Sequence, residues 1–203
     1  MKIICVGRNY AAHAAELKNE VPDKPVIFLK PDTALIPKRQ AFYHPDFSSD
    51  IHYEAELVLK INRLGKHIKE KFAHKYFAEI SLGIDFTARD LQQKLKQKGL
   101  PWERAKSFDG SAPVGKFISL EKLKNSENIQ FKLLINKEER QFGESKQMIF
   151  SFQQLVANIS SFITLKIGDL IFTGTPKGVG KVSIGDHLEG FIEDQKVLDL
   201  KVR

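Results

Sequence analysis

Residues 54–61 alternate in polarity with a period of two. Ala55, Leu57, Leu59 and Ile61 share one face, while Glu54, Glu56, Val58 and Lys60 share the other, as in a half-buried β-strand. Short apolar runs at 2–6, 26–29 and 80–86, bounded by Gly, Pro or Asp, predict further buried strands. Helical spacing predicts segments at 9–19, with Asn9 as N-cap, and at 70–77, 87–98 and 152–161. In the third of these Thr87 is the expected cap, Asp90 stands three residues on, and Gly99 and Pro101 supply the stop.

The second half is strand-rich. Strands are expected at 131–135, from Arg140 onward, at 169–172, 187–192 and 197–202, with a turn at Asn136-Lys137 and a Gly-rich loop at 173–180. No repeat, low-complexity tract or linker divides the chain. The expectation is one strand-dominated α+β domain over residues 1–203 rather than a regular βαβ alternation.

Composition narrows the class without naming a function. With 203 residues, 42% hydrophobic and 28% charged, the chain can bury a core without disulfides or structural metal. The net charge of +7 is spread along the chain, and Lys94-Leu95-Lys96-Gln97-Lys98 reads as the solvated face of a helix. No nucleic-acid motif accompanies the charge, so no nucleic-acid partner is expected. No apolar run approaches a membrane span, and residues 3–6 are too short for a signal-peptide core, so the expectation is a cytoplasmic protein with no membrane partner. The single Cys5 reads as a small buried hydrophobe.

Candidate chemistry begins with the carboxylates. Glu54 and Glu56 lie on one strand face, about 7 Å apart along it. Taken alone, such a pair is an ordinary solvent-facing edge. Asp85, closing the apolar run 80–84, is a third carboxylate with no accompanying Cys or paired His. An all-oxygen set of this kind favours Mg²⁺ or Mn²⁺ over Zn²⁺, with neighbouring His52 as a conceivable fourth ligand.

Five motifs then occur in order: Gly7-Arg8-Asn9-Tyr10, Tyr53-Glu54-Ala55-Glu56-Leu57, Gly83-Ile84-Asp85-Phe86-Thr87-Ala88-Arg89-Asp90, Ala105-Lys106-Ser107-Phe108-Asp109 and 173–180. Together they resemble the fumarylacetoacetate hydrolase family, especially its short acylpyruvase and oxaloacetate-decarboxylase-like members. The resemblance implies a roll of mixed β-sheets, a homodimer, and Glu54, Glu56 and Asp85 as ligands to Mg²⁺ or Mn²⁺. Longer members carry a further upstream carboxylate ligand; here a water is expected in its place.

His13 and Glu16, spaced i, i+3, would by spacing alone be a weak surface ion pair. The resemblance makes them a catalytic dyad on a mobile lid, with Gly7 and the Pro22–Pro25 stretch as hinges and Glu16 orienting His13 to activate water. It also makes Lys106 the lysine that faces the substrate. Arg89, Gln92, Lys30 and Thr175 are implied as substrate-binding groups. The loop 173–180 fits neither a Walker A loop nor a Gly-x-Gly-x-x-Gly turn, because Thr175, Val182 and Ser183 stand where those patterns need other residues. The family reading makes it an anion nest around Thr175.

The implied reaction is metal-dependent hydrolysis of a carbon–carbon bond in an acylpyruvate-type 2-oxo acid. Oxaloacetate decarboxylation and 2-hydroxyhepta-2,4-diene-1,7-dioate isomerisation are alternatives on the same platform.

Overall fold

The computed structural model describes residues 1–16 and 20–203, so the end of the helix expected at 9–19 lies outside the described residues. The strands are β1 (Ile3–Gly7), β2 (Val26–Lys30), β3 (Ile51–Tyr53), β4 (Ala55–Ile61), β5 (Phe77–Ile84), β6 (Thr87–Ala88), β7 (Ile118–Ser119), β8 (Gln130–Ile135), β9 (Glu138–Glu144), β10 (Leu170–Phe172), β11 (Gly180–Lys181), β12 (His187–Ile192) and β13 (Gln195–Lys201). The α-helices are short: α1 (Ala11–Glu16), α2 (Arg89–Gln97), α3 (Glu103–Lys106) and α4 (Phe152–Phe162). Residues Glu70–Tyr76 form a 3₁₀ helix. None of the described helices is long and apolar enough to cross a membrane.

The strands form a six-stranded sheet ordered β2-β1-β10-β4-β5-β7, a three-stranded sheet β11-β3-β6 and a four-stranded sheet β13-β12-β8-β9. The large sheet is mixed, because β1 and β10 run parallel while β10–β4 and β4–β5 are antiparallel. Its alternating residues feed two cores. Ile4, Leu57, Leu59, Ile80 and Leu82 pack with Phe131, Leu155 and Ile159, whereas Ile3, Cys5, Val58 and Phe172 pack on the opposite face. A third cluster joins Ile51, Ala55, Ile84 and Phe86 to Leu133, Leu188 and Leu198. The strand-dominated α+β architecture therefore stands as expected.

The β8–β9 hairpin turns through Asn136 and Lys137, both at positive φ (53° and 71°), the conformation that suits a tight turn between twisted strands. Helix α4 carries a full capping box, with Ser151 accepting from the Gln154 amide and Gln154 accepting from the Ser151 amide.

Three local expectations are corrected. Thr87 does not cap a helix: residues 87–88 pair with β3 as β6, α2 starts at Arg89, and the Thr87 hydroxyl donates to the Asp85 carbonyl. Asn9 does not cap α1 either. Its side chain accepts from the Phe150 amide and donates to the Phe150 and Thr173 carbonyls, which ties the start of α1 to two distant segments. Residues 26–29 form an edge strand that is only half-buried, since β2 has β1 alone as a neighbour.

Topology decides where chemistry can gather. Strand β4 begins where β1, β5 and β10 end, so Glu54 and Glu56, Asp85, Arg8 and the loop from Thr173 all meet at one end of the large sheet.

Candidate active site

At that end the carboxylates converge. The Asp85 amide donates to the Glu54 carbonyl at 2.8 Å, which locks the end of β5 to the start of β4. Oxygens of Glu54, Glu56 and Asp85 all lie within 4.8 Å of one another, and all three residues are buried. Lys106, at the end of α3, donates to Glu54 Oε2 at 2.7 Å and to Asp85 Oδ2 at 2.6 Å. Arg89, at the start of α2, donates to Glu54 Oε1 and to Gln92 Oε1, each at 2.6 Å.

Glu54 and Glu56 differ electrostatically. Burial works against ionisation of Glu54, but the Lys106 and Arg89 charges outweigh it and hold the carboxyl well below the usual range. Among the described residues Glu56 forms no ion pair. Burial and the neighbouring Asp85 and Glu54 charges push it well up, against the Gly174 amide, which donates to it at 2.7 Å, and the Lys106 charge. Burial likewise disfavours the Lys106 ammonium, yet Asp85 and Glu54 more than compensate and raise it.

This donor set fits a hard divalent cation. All its oxygens are carboxylate, Glu56 forms no ion pair among the described residues, and Asp85 Oδ1 has no aligned hydrogen-bond donor although Lys30 Nζ lies 2.7 Å away. His52 does not join them, being paired with Asp50 at 3.0 Å.

A narrow cleft of about 40 Å³ opens onto this cluster, walled by Val6, Gly7, Arg8, His13, Phe28, Arg89, Gln92, Lys96, Trp102, Lys106 and Thr175 along with the three carboxylates. His13 is buried, with Nδ1 3.2 Å from Glu16 Oε2. Glu16 in turn accepts from the Gly178 amide at 3.1 Å. Gly178 has φ of 96°, and a Cβ there would stand 2.6 Å from the Arg140 carbonyl oxygen, so the loop approaches Glu16 in a form open only to glycine.

Nine of the ten sequence-assigned residues are thus brought to one place, Glu16 through His13. Lys30 is the exception. Its ammonium lies behind Asp85, enclosed by the carbonyls of Phe86, Lys106 and Ser111 and the Ser111 hydroxyl. It is an anchor for Asp85 and does not line the cleft, which corrects its assignment to substrate binding. The nest in loop 173–180 is corrected in part. The Gly174 and Gly178 amides are used by Glu56 and Glu16, leaving Thr175 as the loop's side chain in the cleft wall.

Sequence reasoning missed two kinds of residue. Gln141 on β9 accepts from the Ala55 amide and donates to Thr175 Oγ1 and the Pro176 carbonyl, joining the start of β4 to the loop. No local signal marks a polar residue at a strand position as an inter-sheet brace. The sequence reads Lys96 together with its neighbours as a solvated helix face. Lys94 and Lys98 are exposed, but Lys96 turns into the cleft. Its spacing from Arg89 and Gln92, i, i+3 and i+7, was the available signal.

The geometry agrees with comparison to known proteins. The model of the fumarylacetoacetate (FAA) hydrolase C-terminal family matches residues 2–203. The mitochondrial oxaloacetate tautomerase FAHD1 of Mus musculus is 42% identical over 201 residues, covering 99% of this chain and 91% of that protein. Oxaloacetate tautomerase YcgM of Escherichia coli (strain K12) is 42% identical over 188 residues, covering 92% of this chain and 86% of its own. Among solved structures, fumarylpyruvate hydrolase from Pseudomonas aeruginosa in complex with Mn²⁺ and pyruvate superposes with a TM-score of 0.93 at 36% identity, covering 100% of this chain and 89% of that one. On these grounds the chain belongs to the fumarylacetoacetate hydrolase family.

Proposed function

We propose that this protein is a divalent-cation-dependent enzyme of short 2-oxo acids that interconverts the enol and keto forms of oxaloacetate. The observation that carries this reading is the convergence, in one narrow cleft, of three buried carboxylates, the Lys106 ammonium and the His13–Glu16 pair. The names of relatives 42% identical across almost the whole chain support oxaloacetate as the substrate.

Glu54, Glu56 and Asp85 would hold Mg²⁺ or Mn²⁺, and the Mn²⁺ in the P. aeruginosa structure supports that choice. When bound, such an ion supplies Lewis-acid stabilisation of negative charge on the 2-oxo oxygen. Lys106, held between Glu54 and Asp85, would add a fixed positive charge to the same end of the cleft. Arg89 is held by Glu54 and Gln92, so its guanidinium reaches substrate already oriented, and Thr175, whose hydroxyl accepts from Gln141, lines the same cleft. In ketonisation the enol oxygen gives up one proton and C3 gains one. His13 is the group in the cleft that can carry a proton to or from C3, with Glu16 fixing its tautomer through Nδ1.

Carbon–carbon hydrolysis of an acylpyruvate is the second reading, favoured by the same His13–Glu16 pair, which can equally take a proton from water. The test is one panel on Mg²⁺- or Mn²⁺-loaded protein: loss of the oxaloacetate enol's ultraviolet absorbance, CO₂ release, and pyruvate release from acylpyruvates. Accelerated enol loss without CO₂ is expected. Acylpyruvate cleavage with no acceleration of ketonisation would overturn the first reading in favour of the second.

A further inference from the structure

The fold gathers most of the chain's excess positive charge at the end of the large sheet away from the cleft. Strand β4 starts beside the carboxylates and ends at Ile61, while β5 starts at Phe77 and ends beside Asp85. The connection 62–76 therefore lies one strand length, roughly 20 Å, from the site. Segment 162–168 runs alongside it. The Gly168 amide donates to the Ile61 carbonyl, Gly65 and Leu165 exchange two backbone bonds, and Lys66 Nζ donates to the Phe162 carbonyl at 3.2 Å. Together the two segments carry Arg63, Lys66, Lys69, Lys71, Lys75 and Lys166, all exposed, against one acid, Glu70. That is +5 of the chain's net +7.

Among the described residues none of these six cations forms an ion pair, and Glu79 and Asp169 at the adjoining strand ends are taken by Lys60 and Lys2. Apolar side chains are interleaved with the charges. Leu64 and Ile167 are 62% and 71% exposed, and Phe72 and Phe162 are exposed as well. In the 3₁₀ helix a period of three puts Lys69, Phe72 and Lys75 on the solvent face, and Ala73 and Tyr76 on the inner one. The ammonium groups of Lys71 and Lys75 stand 5.0 and 5.2 Å from the Phe72 ring, and the Arg63 guanidinium 6.0 Å from that of Tyr76. Gly65 ties the loop to this helix, because a Cβ there would run into the Tyr76 ring. Bare apolar tips among mutually repelling cations do nothing for the stability of the domain itself.

We propose that this face docks the protein onto an anionic lipid surface, with the six cations against the headgroups and Leu64, Phe72, Phe162 and Ile167 at the acyl boundary. Charge complementarity selects an anionic partner. The apolar tips favour lipid over nucleic acid: Leu64 and Ile167 cannot stack on bases, whereas apolar side chains among Lys and Arg are the composition that binds a membrane interface. A second copy seated face to face is disfavoured, since it would bring +5 against +5. Surface contact needs neither a spanning segment nor a leader, the two features behind the expectation of no membrane partner. It leaves the cleft at the opposite end open to substrate, and it holds whichever reaction the cleft performs.

The test is co-sedimentation of the full chain with vesicles of phosphatidylcholine, alone or with phosphatidylglycerol. Each Lys or Arg near an anionic surface adds about 5-fold to the partition coefficient. Binding is expected to the phosphatidylglycerol vesicles only, and should weaken steeply at about 1 M salt, where the screening length falls to ~3 Å. The double substitution Lys71→Gln/Lys75→Gln should cut partitioning at least about 10-fold. Leu64→Ser/Ile167→Ser should cut it several-fold. Both change exposed side chains only, so the melting temperature and turnover of each variant should match the native protein's. No binding to anionic vesicles, or binding unchanged in either double variant, would overturn the proposal. Vesicle binding weaker than that to single-stranded RNA and indifferent to Leu64→Ser/Ile167→Ser would assign the face to nucleic acid instead. A dimer that falls apart in Leu64→Ser/Ile167→Ser would assign it to a second copy of the chain.

Discussion

Replacing Lys106 by Met tests the electrostatic design of the site most directly. Met keeps much of the apolar stem beside Phe28 and deletes the ammonium that contacts Glu54 Oε2 at 2.7 Å and Asp85 Oδ2 at 2.6 Å. Removing one partner of a buried ion pair costs roughly 3–5 kcal/mol. Arg89 still holds Glu54 and Lys30 still lies against Asp85, so the lower end applies, about 3 kcal/mol. For a domain of this size each kcal/mol moves Tm by about 2–4 °C, so the metal-free variant should melt about 6–12 °C below the native protein. A divalent cation shares the same carboxylates with Lys106 in the native protein and has them without a competing ammonium in the variant. Saturating Mg²⁺ or Mn²⁺ should therefore raise the variant's Tm by more than the native protein's. The assay is thermal melting of both proteins in chelator and in excess metal. A metal-free variant that melts within about 2 °C of the native protein, with equal metal-induced shifts, would refute the reasoning. In the loaded enzyme, kcat should fall far more than KM rises, because the charge acts most strongly on the developing oxyanion.

Glu56→Gln should weaken metal binding, read by calorimetry, without lowering the metal-free Tm. The amide can still accept from Gly174, and the substitution removes a carboxyl that burial and its neighbours already push up. His13→Ala should reduce turnover about 10²–10⁴-fold. Glu16→Gln should do so more mildly, because the imidazole remains but loses its carboxylate partner; full activity in both variants would reduce the pair to a structural contact. Asp169→Asn should lower Tm at pH 7. Burial opposes ionisation of Asp169, but hydrogen bonds from the Lys2 side chain and the Lys166 and Lys2 amides prevail and hold it below its ordinary value of 3.8. The folded value lies below the unfolded one, so the carboxylate's contribution is complete above about pH 4 and is lost as pH falls through the depressed folded value. The gap between variant and native melting curves should close over that acid range.

How much of this was legible in the chain depends on whether the signal is local. Alternation over 54–61 is a local property, since the pleat sends successive side chains to opposite faces, and it placed Glu56 correctly within a strand, whereas Glu54 stands in the break between β3 and β4. The Asn136-Lys137 turn is equally local, because the residues that form it are neighbours in sequence; so is the Ser151 capping box, although only the helix that it starts is among the expectations. Ordered motifs carried the rest of the site by resemblance, as far as Lys106 and Thr175. Thr87 and Asn9 mark where local reasoning ends. Both have the chemistry of helix caps, but Thr87 is claimed by strand pairing with β3, and Asn9 by backbone groups 141 and 164 residues away. Lys30 and Lys96 looked alike as lysines in a basic chain. Only the tertiary structure put one behind Asp85, where its charge is used up by the protein, and the other over Trp102 in the cleft, where its charge has no carboxylate partner among the described residues. Charge compensation is a property of what the fold brings together, and no spacing along the chain encodes it.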